Sequence, residues 1–120
     1  MSTNIANLTT ITGTTSAYSS VPTTGAAVVS AVTTGHVYKV NSVIASNKTA
    51  TNALLTLVLN RNSTLYYNIA YQMSIPGNTL VSIISKDAPL YMMDTSSDVL
   101  SAQSNTANAI DVIVCYEDIS

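Results

Sequence analysis

No window of this chain repeats apolar residues at the i, i+3, i+4, i+7 spacing of a helix face. Short apolar or alternating runs recur instead, separated at near-regular intervals by clusters of Asn, Gly, Pro, Asp and Ser. Val, Ile, Thr and Tyr are abundant and Glu, Lys and Arg scarce, which favours a pleated, half-buried backbone. The pattern predicts an all-β chain, a single β-sandwich of about eight or nine strands with jelly-roll-like or Ig-like connectivity. The sandwich domain is expected over 25–120, preceded over 1–24 by an extended N-terminal arm or edge strand.

Individual runs make this reading specific. Ala26 to Thr33 reads as one strand and His36 to Ser46 as a long second, with Tyr38, Val40 and Ile44 on one face. Ala53 to Leu59 is nearly continuously apolar, as expected of a central strand. Asn60 to Ser63 turns the chain as a hairpin. Thr64 to Tyr71 then alternates, with Leu65, Tyr67, Ile69 and Tyr71 on one face and Tyr66, Asn68 and Ala70 on the other. Pro76-Gly77-Asn78 is a turn in which Pro fixes φ and Gly allows a positive φ. Thr79 to Ser85, Leu90 to Met93, Val99 to Ser104 and Ala109 to Ile119 complete the set, the last with Ile110, Val112, Val114 and Tyr116 on one face.

Length allows one core and no second, since the chain has 120 residues. Apolar residues make up 47%, yet Phe and Trp are absent and Tyr supplies all seven aromatics, so the core must be aliphatic. Only 8% of residues are charged, against roughly 25% in an average soluble domain. Solubility then rests on Ser, Thr and Asn, and such a surface tends to self-associate. Much of it is expected to be covered by neighbours; the plainer alternative is the Ser/Thr face of a robust β-domain. The arm is almost uncharged, and Ile5, Leu8 and Ile11, with Tyr18, are its candidate contacts for laying a β-segment along another subunit.

Several function classes are disfavoured. Four scattered cations, Lys39, Lys48, Arg61 and Lys86, make no basic stripe for nucleic acid. No apolar run approaches the roughly 18 to 20 residues of a membrane-spanning helix, and the N-terminus reads as no secretory signal. A lone cysteine, Cys115, permits no internal disulfide, which fits synthesis in a reducing cytoplasm. The sequons at Asn7, Asn47 and Asn62 arise readily by chance in a chain this rich in Asn and Thr.

Candidate chemistry is thin. His36 could pair with one of sixteen serines, but no G-x-S-x-G elbow is present, and a surface or interface histidine is the plainer reading. Cys115 lies among apolar neighbours with no cation nearby in sequence, which suits a small buried hydrophobe better than a nucleophile. One Cys and one His make no zinc site. Asp94 and Asp98 bracket a Ser/Thr turn; two carboxylates without a glycine fall short of a calcium loop, and turn-stabilising side-chain bonds explain them more simply. No catalytic residue, cofactor site or metal site is therefore assigned. Tyr66, Tyr67 and Tyr71 cluster on one strand, so at least one ring should face outward, suiting a protein or carbohydrate interface or a capped core end.

From His36 onward the chain is similar to a known group. His36-Val37-Tyr38-Lys39-Val40-Asn41-Ser42-Val43-Ile44-Ala45-Ser46-Asn47 resembles the start of small virion structural proteins of tailed bacteriophages, common in phages of marine bacteria and cyanobacteria. A Tyr-rich hairpin and the Pro turn of Ser74-Ile75-Pro76-Gly77-Asn78-Thr79-Leu80-Val81 continue the likeness, and Ile110-Asp111-Val112-Ile113-Val114-Cys115-Tyr116 resembles their closing strand. It covers roughly residues 35 to 120, is absent from the arm, and departs at Asp94 to Asp98, where such proteins more often carry a Glu-Gly-Asp turn. The resemblance implies a β-sandwich virion subunit assembled in the host bacterial cytoplasm, with no cofactor and no enzymatic activity. A capsid decoration (cement) protein is the first expectation, bound to the major capsid protein or other virion proteins as a homo-oligomer, with a trimer as the working guess. The alternative is a tail-fibre, neck or tail-associated module, binding a receptor or glycan through Tyr66, Tyr67 and Tyr71.

Overall fold

The computed structural model describes residues 10–85 and 87–120. Ile5, Leu8 and Lys86 lie outside the described residues. Among the described residues nine strands follow in order: β1 (Ile11–Tyr18), β2 (Ala26–Val29), β3 (Val37–Asn47), β4 (Ala53–Arg61), β5 (Leu65–Ile75), β6 (Leu80–Ile84), β7 (Leu90–Met93), β8 (Val99–Ser104) and β9 (Ile110–Ile119). They form two antiparallel sheets, β1-β9-β3-β6 with β7 also on β3, and β2-β8-β4-β5. The sandwich expected from the turn spacing is thus present.

The pairing is nested. β1 pairs with β9, β2 with β8, β3 with β6 and β7, and β4 with β5. Folding such a ladder over on itself places alternate rungs in opposite sheets, which is the jelly-roll arrangement and not the immunoglobulin one. β6 pairs with Val43–Ser46 and β7 with Val37–Val40, so the two are consecutive pieces of one interrupted edge strand. Residues Ile11–Tyr18 of the expected arm form an edge strand aligned with β9 over all eight positions. Val21, just beyond them, is fully buried.

Aliphatic side chains fill the space between the sheets. Leu55 and Leu57 from β4, Val43 and Ala45 from β3, Leu100 from β8, and Val112 and Val114 from β9 are completely buried. Burying each Val or Leu contributes about 1.5–3 kcal/mol, and these positions supply most of the drive to fold. The core's one buried aromatic is Tyr38, whose ring lies 4.9 Å from that of Tyr116 at a 39° tilt. Burial pushes the Tyr116 hydroxyl up, aided by the nearby Tyr38 and Asp118.

Bulges overturn two of the expected faces. In β3, Val40 is opposite Tyr116 and Ser42 is opposite Cys115, leaving Asn41 as an extra residue. Its side chain donates to Glu117 Oε1 at 3.1 Å. The insertion switches parity, so Val43 and Ala45 point inward and Ile44 turns outward, away from the face of Tyr38 and Val40. In β5, two further register shifts set Leu55 opposite Met73, Leu57 opposite Ala70 and Val58 opposite Asn68. Strict alternation over Thr64 to Tyr71 therefore fails, with Tyr67 and Tyr71 on different faces. Neither Gly nor Pro marks these bulges; Gln72 adopts a positive φ of 49° at one of them, where its N–H donates to Thr56 Oγ1.

Turn chemistry agrees with sequence at most corners. Asn62 and Ser63 both have positive φ, as a tight hairpin between β4 and β5 requires. The Pro76-Gly77-Asn78 turn works differently from expectation. Asn78, not Gly77, takes the left-handed conformation, at φ 57°. Glycine is needed at 77 for close approach, because a Cβ there would sit 2.4 Å from the backbone C and O of Ala50. Gly77→Ala is therefore expected to destabilise the fold by about 1–3 kcal/mol, read as a lowered urea midpoint with an unchanged m-value.

Candidate interaction surfaces

Several of the charged side chains are used internally, in pairs. Asp98, fully buried at the entry to β8, accepts from Arg61 Nε and Nη2 at 2.9 Å each and from the Met93 N–H at 2.9 Å. This bond to Asp98 raises the Arg61 guanidinium above its ordinary value. Asp94 instead accepts from the Gly35 N–H at 2.8 Å, bracing the Thr34-Gly35 turn. The two aspartates thus serve separate connections: Asp98 braces its own turn through the Met93 N–H and is in addition the ion-pair partner of Arg61. Asp111 accepts from the Ser20 N–H at 2.8 Å and from Lys48 Nζ at 3.0 Å, contacts that hold its carboxyl below the usual range.

His36 and Asp118 make another pair, Nδ1 to Oδ1 at 2.6 Å, both about a quarter exposed. The contact resembles the orienting half of a catalytic triad. Among the described residues, however, no serine hydroxyl hydrogen-bonds the imidazole. Nor do any three of His, Cys, Asp and Glu among them stand close enough to hold a metal ion. Cys115 is half-buried on the outer side of β9, its Sγ 3.9 Å from Thr15 Oγ1, and is not the fully buried hydrophobe expected from its neighbours. Its neighbours Val114 and Tyr116 take the inward positions, which leaves the thiol on the outer face of the sheet.

Two broad surfaces remain. The first is the outer face of the β1-β9-β3-β6 sheet. Register places Ala17 beside Ile113, Ile113 beside Ile44, and Ile44 beside Ser82 in one row across four strands. The adjacent row is Thr15, Cys115 and Ser42. Both rows are uncharged, and Ile113 at their centre is 41% exposed. The edge beside them is β1, an eight-residue strand with no charge, no Pro and no register shift. Other edges are blunted: β2 is short and bulged, β5 is bulged twice, and β6 and β7 are interrupted. Ile11 lies on the β1 edge, which no other described strand pairs, and is 64% exposed, whereas Tyr18 packs against the core.

The second surface is the outer face of the opposite sheet. An open groove of about 550 Å³ runs over it, lined by Leu54, Thr56, Val58, Asn68, Gln72 and Gln103, with Tyr66 and Tyr71 in its walls. Both tyrosines are 66% exposed. A smaller hollow of about 350 Å³ adjoins it across Tyr66 and Val58, extending over Gly25 to Ala27 of the β2 edge. Tyr67 stands opposite Leu59 and points to the other side of the strand. Alternation in the sequence puts Tyr67 and Tyr71 on one face and Tyr66 on the other; the β5 bulge between Asn68 and Ala70 instead groups Tyr66 with Tyr71. Comparison with models of known protein families and with curated proteins returns no match.

Proposed function

We propose that this protein is a non-enzymatic structural subunit of a tailed-phage virion, a head decoration (cement) protein that stabilises the shell by covering neighbouring subunits. The observation that carries the reading is the continuous uncharged surface formed by the Ala17–Ile113–Ile44 row and the adjoining unblunted β1 edge. An exposed edge of this kind is a template for main-chain pairing with another chain. Apolar and hydroxyl side chains beside it add burial without the desolvation cost of charges. Jelly rolls recur among viral capsid domains and lectins, an analogy of architecture that by itself carries no function. The partner is the major capsid protein or another virion protein, and self-association through the same edge gives the homo-oligomer.

The test uses purified protein and emptied, expanded heads of the phage that encodes it. Wild-type protein is expected to co-sediment with the heads and raise their melting temperature. Ile113→Asp places a charge in the centre of the face without touching the core, and should weaken co-sedimentation at least tenfold while the free subunit's own Tm stays within about 2 °C. Wild-type protein that stays in the supernatant, or a variant that binds equally well, contradicts the reading.

A further inference from the structure

The groove on the β2-β8-β4-β5 sheet faces away from the surface assigned to assembly and is built from a different chemistry. We infer that it is a binding site for a neutral oligosaccharide, with Tyr66 and Tyr71 as the two stacking platforms. The proposal is independent of where the subunit sits in a particle.

Three observations carry it. The first is the pair of rings. One β5 bulge, at Ile69 between Asn68 and Ala70, brings Tyr71 onto the same outer face as Tyr66, each two-thirds exposed, in a strand whose inward positions are taken by Ala70, Met73 and Ile75. A tyrosine ring held open to water presents an apolar face and a hydroxyl tip, the amphipathic combination that a pyranose ring, with its C–H face and equatorial hydroxyls, complements. At strand rise, and allowing for the bulge, the two residues stand about 13–16 Å apart along β5, the reach of a short oligosaccharide and too far for one sugar.

The second observation is what lies between the rings. Asn68, Gln72 and Gln103 bring side-chain amides to the groove, Thr56 a hydroxyl, and Leu54 and Val58 an apolar floor. Amides both donate and accept, so they can satisfy sugar hydroxyls in either role. Their carriers are ordered: the Gln103 Nε2 donates to Thr23 O at 2.6 Å, and Thr56 Oγ1 accepts from the Gln72 N–H at 3.1 Å. Third, among the described residues no Asp, Glu, Lys, Arg or His lines either hollow. A phosphate or sialic acid would find no cation there, and an amine no carboxylate; the neutral lining selects an uncharged ligand. An open groove of about 550 Å³ also suits an extended chain better than an enclosed small molecule.

The probes are a printed array of bacterial-surface and neutral plant and microbial glycans, followed by titration of maltoheptaose, cellohexaose and chitohexaose in solution. Tyrosine fluorescence is a direct readout, since the chain has no Trp. At least one neutral glycan is expected to bind. Tyr66→Ala and Tyr71→Ala should each weaken that binding about tenfold or more, and Tyr67→Ala should leave it within twofold. All three rings are exposed, and an unchanged melting curve for each variant verifies its fold. No neutral glycan bound on the array overturns the proposal, as does equal loss in the Tyr67 variant or binding only to charged glycans. If Tyr66→Ala disrupts binding to phage heads and no glycan binds, the face belongs to a protein neighbour and the proposal fails.

Discussion

Replacing Arg61 by Met is expected to lower the unfolding free energy by about 3–5 kcal/mol, the largest effect of any single substitution outside the aliphatic core. The reason is asymmetric burial. Asp98 is fully buried, whereas the Arg61 side chain reaches it from the end of β4 and stays about a third exposed. Exposed ion pairs contribute little, because water solvates either partner after the other is removed. Here water cannot reach the carboxylate. Methionine preserves the packing of the Arg61 stem but leaves a buried charge with one backbone donor, the Met93 N–H. Adding Asp98→Asn to Arg61→Met removes that charge and keeps an acceptor for Met93, so the double variant should be more stable than Arg61→Met alone. Urea denaturation of both, at equal m-values, measures the coupling. If Arg61→Met costs under 1 kcal/mol, the pair behaves as a surface bridge and this account of it is wrong.

Asn47→Ala should cost about 2–4 kcal/mol. Asn47 is buried at the end of β3 and its amide is fully used. Nδ2 donates to Thr51 O at 2.8 Å and to Ile75 O at 2.9 Å, while Oδ1 accepts from the Thr49 N–H at 2.9 Å and from Thr49 Oγ1 at 2.7 Å. One side chain thus ties the β3–β4 turn to the last residue of β5, joining the two sheets at one end of the sandwich. Alanine leaves the carbonyl of Ile75, a completely buried residue, without this donor. Asn47→Asp should be no better, since it swaps the two donors for an acceptor facing two carbonyls. Thermal melts of both variants check this, and a loss of less than about 2 °C in Tm would contradict it. The same geometry closes the Asn47 sequon, whose acceptor nitrogen is already committed.

How much of this the sequence revealed depends on the kind of signal. Strand positions were legible wherever apolar runs ended in turn residues: Leu90 to Met93 and Val99 to Ser104 match β7 and β8 residue for residue. The inward face of β9 was legible too, because nothing interrupts its alternation from Ile110 to Val114. Faces failed where a bulge changed parity. Asn41 and Ile69 are ordinary residues that could have stood in a regular ladder, and only long-range pairing determines that they do not. Ile44 and Tyr71 were consequently placed on the wrong faces, and the grouping of Tyr66 with Tyr71 was hidden.

Buried polar partners were the other blind spot. Asp98 and Arg61 are 37 positions apart, and nothing local distinguishes Asp98 from Asp94, which serves a different turn. Asn47 read as a turn residue by composition, which it is, but its contact with Ile75 exists only after β5 returns beside β4. The nested pairing itself was equally beyond sequence, since strands matched only by hydrophobicity have no stated partners. It is the nesting that leaves β1 at the edge of its sheet among the described strands and places the uncharged Ile113 face and the tyrosine groove on opposite sides.

The most direct measurement of the proposed virion role is the stoichiometry of this chain, by quantitative mass spectrometry, in purified virions of the phage that the proposal implies. A head decoration subunit is expected in a fixed, high ratio to the major capsid protein, retained through density-gradient purification. Absence from particles, with the protein recovered as a dispersed monomer in the soluble lysate, would contradict the claim that it works by covering a shell.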